Sequence, residues 1–302
     1  MQSKKSFSTK KRNRLMFYIA VLLLPMIQIA IFYFYANIRS FTLAFTEYDG
    51  NGNYIPVGFK TFEQILSGKH TIFLNFKIDL VIKNTLIAFL MEFAFGSFPA
   101  ILFSYYIFKK HPLASIFKIV LYIPQIVSGL VFVIIYKYFM NDFLPKMGII
   151  NVGFWEKTLD AERFYYLFFT IFFSFGTRVL LYSGTMSGIS DSIIESGKLE
   201  GVKPMQELFF IVLPMIWGTF VTFTITTLIG LFTNQMSGYA FKGSGFNSQL
   251  QTFGYFLFSK TADANMANYP VLSALGLLMT FVAVPLTLLA RYLLTRFGPK
   301  TE

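Results

Sequence analysis

The chain has 302 residues, of which 55% are hydrophobic and only 14% charged, with 39 Phe and 17 Tyr, a balance that excludes an ordinary soluble domain and points to lipid. The formal net charge is +11, yet Lys4, Lys5, Lys10, Lys11, Arg12 and Arg14 stand directly ahead of an apolar stretch, which favours membrane orientation over nucleic-acid binding. With no Cys and two His, His70 and His111, a thiolate zinc site, a disulfide framework and a Cys–His catalytic pair are excluded.

After this basic arm, residues 1–14, six stretches are long and apolar enough to span the hydrocarbon as helices: Leu15 to Ala36, Leu80 to Phe108, Phe117 to Tyr136, Phe164 to Tyr182, Leu208 to Gln235, and Tyr269 to Leu294. A span takes about 20 residues, because lipid offers the backbone no hydrogen-bond partner. The expected fold is therefore all-α, a polytopic helical bundle over residues 15–296 with a short tail, 297–302. The first stretch lacks a small-x-small cleavage pattern at Phe34-Tyr35-Ala36 and reads as a span, not a removed signal. An even number of spans puts both ends on one side. The basic arm, the loop with Lys109, Lys110 and Lys118, and the tail with Arg291, Arg296 and Lys300 all fall there, so that side is expected to be cytoplasmic. The outward segments then run from Asn37 to Asp79, Lys137 to Arg163 and Met236 to Asn268. Asp49-Gly50-Asn51-Gly52 and Lys242-Gly243-Ser244-Gly245 supply turn chemistry in the first and third.

The inward loop from Ser183 to Glu207 carries more pattern than a connection needs: helix, glycine, helix. Ser190 suits an N-cap and Asp191 the positive helix end; Gly201 suits a left-handed terminus and Pro204 a fresh helix start. The second helix is expected to run through Glu207 into the fifth span, where Pro214 kinks it. Taken alone, Glu195 and Gly201 describe an ordinary charged, capped surface helix.

Their spacing resembles the cytoplasmic signature E-A-A-x-x-D-G-A-x-x-x-x-x-F-x-x-I-x-L-P of permease subunits in binding-protein-dependent ABC importers. Glu195-Ser196-Gly197 stands for E-A-A, Glu200-Gly201-Val202 for D-G-A, Leu208 for the aromatic, and Ile211, Leu213 and Pro214 match. Five positions agree and five are substituted. Further matches look like those of the maltose-type carbohydrate uptake family: Phe45-Thr46-Glu47-Tyr48-Asp49-Gly50 with Val57-Gly58-Phe59, Asn84-Thr85, Gly148-Ile149-Ile150-Asn151, and Gly243-Ser244-Gly245. The resemblance implies that Glu195, Ser196, Gly197, Glu200 and Gly201 dock into a cleft on a separate ATPase. It also implies a second permease, most simply a heterodimer partner, two ATPase subunits, and an extracellular solute-binding protein that delivers a mono- or oligosaccharide.

The chain contains no G-x-x-x-x-G-K-[ST] phosphate cradle. It is expected to be a non-catalytic subunit that binds no cofactor, with ATP and Mg on the partner ATPase. In the fifth span, Gly218, Thr222, Thr226 and Gly230 recur every fourth residue and read as a packing stripe. Thr224, Thr227, Leu231 and Asn234 project from another face as candidates for the substrate path. By resemblance to maltose-type permeases, Phe173, Ser174 and Thr177 join them; against each threonine stands the ordinary alternative that it bonds its own backbone. Lys83 and Arg178 are expected to snorkel to the two interfaces, and Glu92 is left without an assignment. Other cargoes, namely a polyol, a glycerol phosphate or a peptide, keep the same machine. A lone ion-coupled carrier has only Glu92 to offer as an intramembrane carboxylate, and a membrane glycosyltransferase would need an acid–base cluster that the sequence does not display.

Overall fold

The computed structural model describes residues 2–68, 78–263 and 265–299; His70 and Lys300 lie outside these. In chain order the elements are α1 (Lys11–Leu43), β1 (Thr46–Tyr48), β2 (Tyr54–Pro56), α2 (Lys60–Leu66), α3 (Asp79–Phe108), α4 (Ala114–Ile126) and α5 (Gly129–Lys146). There follow α6 (Leu159–Met186), α7 (Asp191–Leu199), α8 (Pro204–Met215), α9 (Trp217–Gly230), α10 (Gly238–Lys242), α11 (Phe253–Ala262) and α12 (Met266–Phe297). Four of the helices, α1, α3, α6 and α12, are long and apolar enough to cross a membrane, and the bent pairs α4–α5 and α8–α9 raise the number to six if each is one span. The chain divides into two units, residues 1–74 with 264–278, and residues 75–263 with 279–302.

In the first unit, α1 leads into a two-stranded antiparallel hairpin, with Thr46 opposite Pro56 and Tyr48 opposite Tyr54, a small β element beyond the helical expectation. The Asp49-Gly50-Asn51-Gly52 segment closes it. Asp49 Oδ1 accepts the backbone N–H of Asn51 at 2.7 Å and of Asn53 at 3.0 Å, and these bonds hold its carboxyl below the usual carboxylate range. Gly50 and Gly52 take φ of +82° and +96°, which side chains with a Cβ rarely adopt. Beside the hairpin, the rings of Phe45, Phe59 and Phe62 pack at centroid distances of 5.2 to 5.9 Å.

In the second unit α6 is central, packed along α3 and α4. One apolar core joins Ala100, Ile101 and Tyr105 of α3 to Val179, Tyr182 and Met186 of α6 and to Leu208 and Val212 of α8. A second gathers Tyr136, Tyr165, Tyr166, Phe169, Phe241 and Tyr255, mostly in edge-on contacts such as Phe169–Phe241 at 4.9 Å.

The third apolar stretch is not one helix. Pro124 lies in the last turn of α4, Val127 and Ser128 are extended, and α5 leaves at 109°; the hydropathy of Phe117–Tyr136 is blind to this, because neither residue type at the break is polar enough to interrupt it. The fifth stretch bends by 75° where α8 meets α9, just after Pro214, where the proline was expected to act. Helix α9 stops at Gly230, so Leu231–Gln235 lies beyond it, with the Asn234 N–H on the Gly230 carbonyl at 2.7 Å.

The third outward segment was expected to be a loop and instead contains α10 and α11. The Asn84-Thr85 pair anchors it. The Asn84 amide donates to the carbonyls of Gln249 and Gln251 at 2.9 and 3.1 Å, and the Thr85 hydroxyl accepts the Phe253 N–H at 3.0 Å. Gly254 completes the seat, since a Cβ there would enter the backbone of Thr233 and Asn234.

Candidate functional site

The inward loop folds as its spacing requires. Helix α7 carries Asp191 in its first turn and Lys198 in its last, complementing the helix dipole. Gly201 takes φ +78° and donates its N–H to the Lys198 carbonyl at 3.0 Å. Pro204 opens α8, and the Gln206 side chain accepts the Lys203 N–H at 3.0 Å. Ser190 does occupy the N-cap position, but its hydroxyl pairs with that of Ser192 at 2.7 Å and caps no backbone group.

Of the five candidate docking residues, Glu195, Ser196, Glu200 and Gly201 are exposed and Gly197 is buried. Ile194 joins the core under Leu208 and Val212, while Leu199 is 90% exposed. A Cβ on Gly197 would come within 2.9 Å of Ile211 Cδ1, so glycine at this position lets α7 and α8 approach closely. Ser192, Ile193, Ser196, Gly197, Glu200 and Ile211 line a shallow cleft of about 340 Å³ on this knob.

Sequence reasoning missed what holds the knob to the membrane helices. Glu207, 3% exposed, receives the Lys109 ammonium at 2.7 and 3.0 Å and the Tyr105 hydroxyl at 3.1 Å. Lys109 looked like one more positive-side charge, and no spacing rule links it to a carboxylate 98 positions on.

Two cavities lie beside the break between α4 and α5. A smaller one, about 300 Å³, is lined by Glu92, Gln125, Phe173, Ser174, Thr177, Arg178 and Thr227, among others. A larger one, about 500 Å³, has Ser128, Phe169, Phe173, Thr233, Asn234 and Gln235 in its wall. The structure thus brings Phe173, Ser174, Thr177 and Thr227 together around one space and puts Asn234 on the other, with Phe173 common to both. Thr224 and Leu231 are in neither wall. Thr222, Thr224, Thr226 and Thr227 each bond the carbonyl four residues back, at 2.8 to 2.9 Å, as the ordinary alternative had it. At Gly218 and Gly230 of the stripe of Gly218, Thr222, Thr226 and Gly230, an added Cβ would find nothing within 4 Å among the described residues, so the expected close helix packing is not seen there.

The expectation for Arg178 is overturned. It does not snorkel: it is 5% exposed and reaches from α6 to α3, where its NH2 donates to Glu92 Oε1 at 2.6 Å, and to α9, where the same nitrogen donates to Thr227 Oγ1 at 3.2 Å. Its NH1 donates to the Glu92 carbonyl at 3.1 Å and to Ser97 Oγ at 3.2 Å. Glu92 Oε2 accepts from the Asn234 amide at 2.9 Å. A buried guanidinium is stable only when paired and hydrogen-bonded, and this network supplies both. Gly96 makes room for it, because a Cβ there would collide with the guanidinium. Lys83 is exposed, as an interfacial lysine would be.

No protein-family profile matches the chain. Two permeases of Bacillus subtilis (strain 168) share sequence with it. The probable ABC transporter permease protein YurN is 22% identical over 184 residues, 57% of this chain and 61% of YurN. The galactooligosaccharides transport system permease protein GanP is 26% identical over 221 residues, 68% of this chain and 52% of GanP. The chain therefore spans less than two thirds of the length of either relative. Among solved structures, that of a bacterial ABC transporter involved in the import of the acidic polysaccharide alginate superposes with a TM-score of 0.75 at 20% identity, covering 97% of this chain and 99% of its counterpart. The bacterial alginate ABC transporter in complex with an alginate pentasaccharide-bound periplasmic protein gives the same score and identity, covering 96% and 97%. With its bent span pairs and its helix–glycine–helix loop, this chain is a multi-pass membrane protein with the fold of an ABC-importer permease, related in sequence to a probable ABC transporter permease and to a permease of a galactooligosaccharides transport system.

Proposed function

We propose that the chain is the translocating subunit of an ATP-driven importer and conducts a mono- or oligosaccharide handed over by an extracellular binding protein. The observation that carries this reading is the α7–α8 knob: a capped, two-helix projection with Glu195 and Leu199 exposed, built on the same core as α3 and α6. An ATPase that moves this knob moves the helices whose side chains wall the two cavities. The chain pairs with a second permease, most simply a different one, and with two ATPases that hold the ATP and Mg. It sits in the cell membrane with both ends in the cytoplasm, its basic arm on the positive side. A saccharide as cargo is supported by the cavities, which combine aromatic faces with hydroxyl and amide groups, and by the GanP relative. A lone ion-coupled carrier is disfavoured, since both carboxylate oxygens of Glu92 are already engaged within the chain.

Affinity purification from native membranes in mild detergent, with mass spectrometry of the stoichiometric partners, tests the assembly. A P-loop ATPase and a second multi-span chain are expected; this chain alone, under detergent conditions that preserve known importers, sinks the proposal. Within the complex, Glu195→Lys should abolish transport-coupled ATP hydrolysis or release the ATPase while saccharide binding at the cavities persists. Wild-type coupling in that variant counts against docking through α7.

A further inference from the structure

We infer that the Glu92–Arg178 pair is a specificity-determining element of the path, reading the adjacent hydroxyls of a neutral saccharide and turning away a charged one. The inference rests on the permease reading above and concerns residues left out of the path as read from sequence. Asn234 belongs to the wall of the larger cavity and Glu92 to that of the smaller, so their 2.9 Å hydrogen bond joins side chains of two compartments. A cargo that moves from one to the other meets that bond. A sugar hydroxyl can replace the Asn234 amide as donor to Glu92 Oε2, while its neighbour accepts from the guanidinium in place of Thr227, now at 3.2 Å.

A second donor stands ready. The Nε2 of Gln125, in the wall of the smaller cavity, is buried and has no acceptor among the described residues. A buried amide without a partner carries a desolvation cost that a ligand acceptor relieves. The ring of Phe173 borders both compartments and suits the apolar face of a pyranose.

The charge selectivity follows from the pairing. The carboxylate and the guanidinium already neutralise each other at 2.6 Å. A uronate that claimed Arg178 would leave Glu92 desolvated and unpaired, whereas a hydroxyl needs no such exchange of charge. Specificity of this kind rests as much on what the site makes unfavourable as on what it binds.

The test is equilibrium dialysis of radiolabelled trisaccharides against the purified complex without its binding protein, so that only the membrane part discriminates. The probes are galactotriose and maltotriose, which are neutral, and trigalacturonate, which carries carboxylates. The wild-type complex should hold a neutral probe at least tenfold more tightly than trigalacturonate. Glu92→Gln, which frees the Arg178 charge, should weaken the neutral probe about tenfold and tighten trigalacturonate about tenfold; adding Arg178→Gln should remove that gain. Gln125→Leu, which takes no partner from any other residue, should weaken the neutral probe several-fold. Loss of all three probes alike in Glu92→Gln, or an unchanged ranking, overturns the inference and leaves a structural ion pair. If Glu92→Gln does not assemble, wild-type affinity in Gln125→Leu overturns it instead. A wild-type complex that holds its ATPases yet ranks the probes equally strikes only at the charge pair, whereas a chain that purifies with no ATPase overturns both readings.

Discussion

Replacing Gly176 by alanine is expected to destabilise the second unit by about 2 kcal/mol, although helix propensity alone argues the other way. Alanine is worth about 1 kcal/mol more than glycine inside a helix. Gly176, however, lies on α6 where α4 crosses it, and a Cβ there would run into the carbonyl of Leu121 and the backbone of Tyr122. Backbone cannot swing aside as a side-chain tip does, so α4 must move as a body, and overpacking of this kind costs about 3 kcal/mol. The clash therefore wins. Gly184, two turns on along α6, is the control: a Cβ there meets nothing within 4 Å, and Gly184→Ala should be stabilising by up to about 1 kcal/mol. Thermal unfolding of the two variants in mild detergent, measured side by side, decides the matter; a gain in both would mean that α4 and α6 are not in backbone contact. Because Gln125 follows Leu121 by one turn on α4, Gly176→Ala should also weaken the saccharide binding proposed above beyond what the lost stability explains.

The Lys109–Glu207 pair should show an asymmetry. Lys109→Met leaves Glu207, whose side chain is 4% exposed, with the Tyr105 hydroxyl as its remaining partner among the bonds described above, and an uncompensated buried carboxylate costs about 3–5 kcal/mol. Glu207→Met leaves Lys109, whose side chain is 18% exposed and ends one residue beyond α3, where its stem can turn the ammonium toward water. That loss should stay near the value of a charged hydrogen bond, about 1.5–3 kcal/mol. Replacing both by methionine should come out close to neutral, because desolvation of the two charges nearly cancels their attraction. Denaturant unfolding of the three variants checks the order. Equal effects of the single variants would mean that Glu207 is wetter than its burial implies. If the pair also carries motion from the knob to α3, the complex proposed above, assembled with the double variant, should hydrolyse ATP at the wild-type rate and transport less saccharide per ATP.

Much of the fold is legible in the order of the residues. The apolar stretches follow from residue-by-residue cost in lipid, and the inward loop from rules that act over a turn or two: Asp191 at a helix start, Gly201 where φ is positive, Pro204 at the next start. The hairpin turn at Asp49 belongs to the same class, since its hydrogen bonds reach only to Asn51 and Asn53. Of the path candidates, Phe173, Ser174 and Thr177, drawn from the resemblance, and Thr227, drawn from helical spacing, line one cavity, while Thr224 and Leu231 line neither. The sequence alone thus determined the apolar stretches, the ends at which positive charge gathers, and the form of the inward knob, because each depends on composition or on neighbours within the same element.

Only the tertiary structure decided the rest. Arg178 reads as a snorkelling residue until α3 brings Glu92 beside it across 86 positions of chain. The ten residues of α11 read as loop, although Thr252 caps them locally by accepting the Tyr255 N–H; the seat that fixes them, formed by Asn84, Thr85 and the Thr233 backbone, lies elsewhere in the chain. The break at Val127–Ser128 escapes hydropathy because it is a change of backbone direction, not of polarity. Burial, charge pairing and close backbone approach are properties of two elements at once, and a pattern read along one element holds no information about which other element will face it.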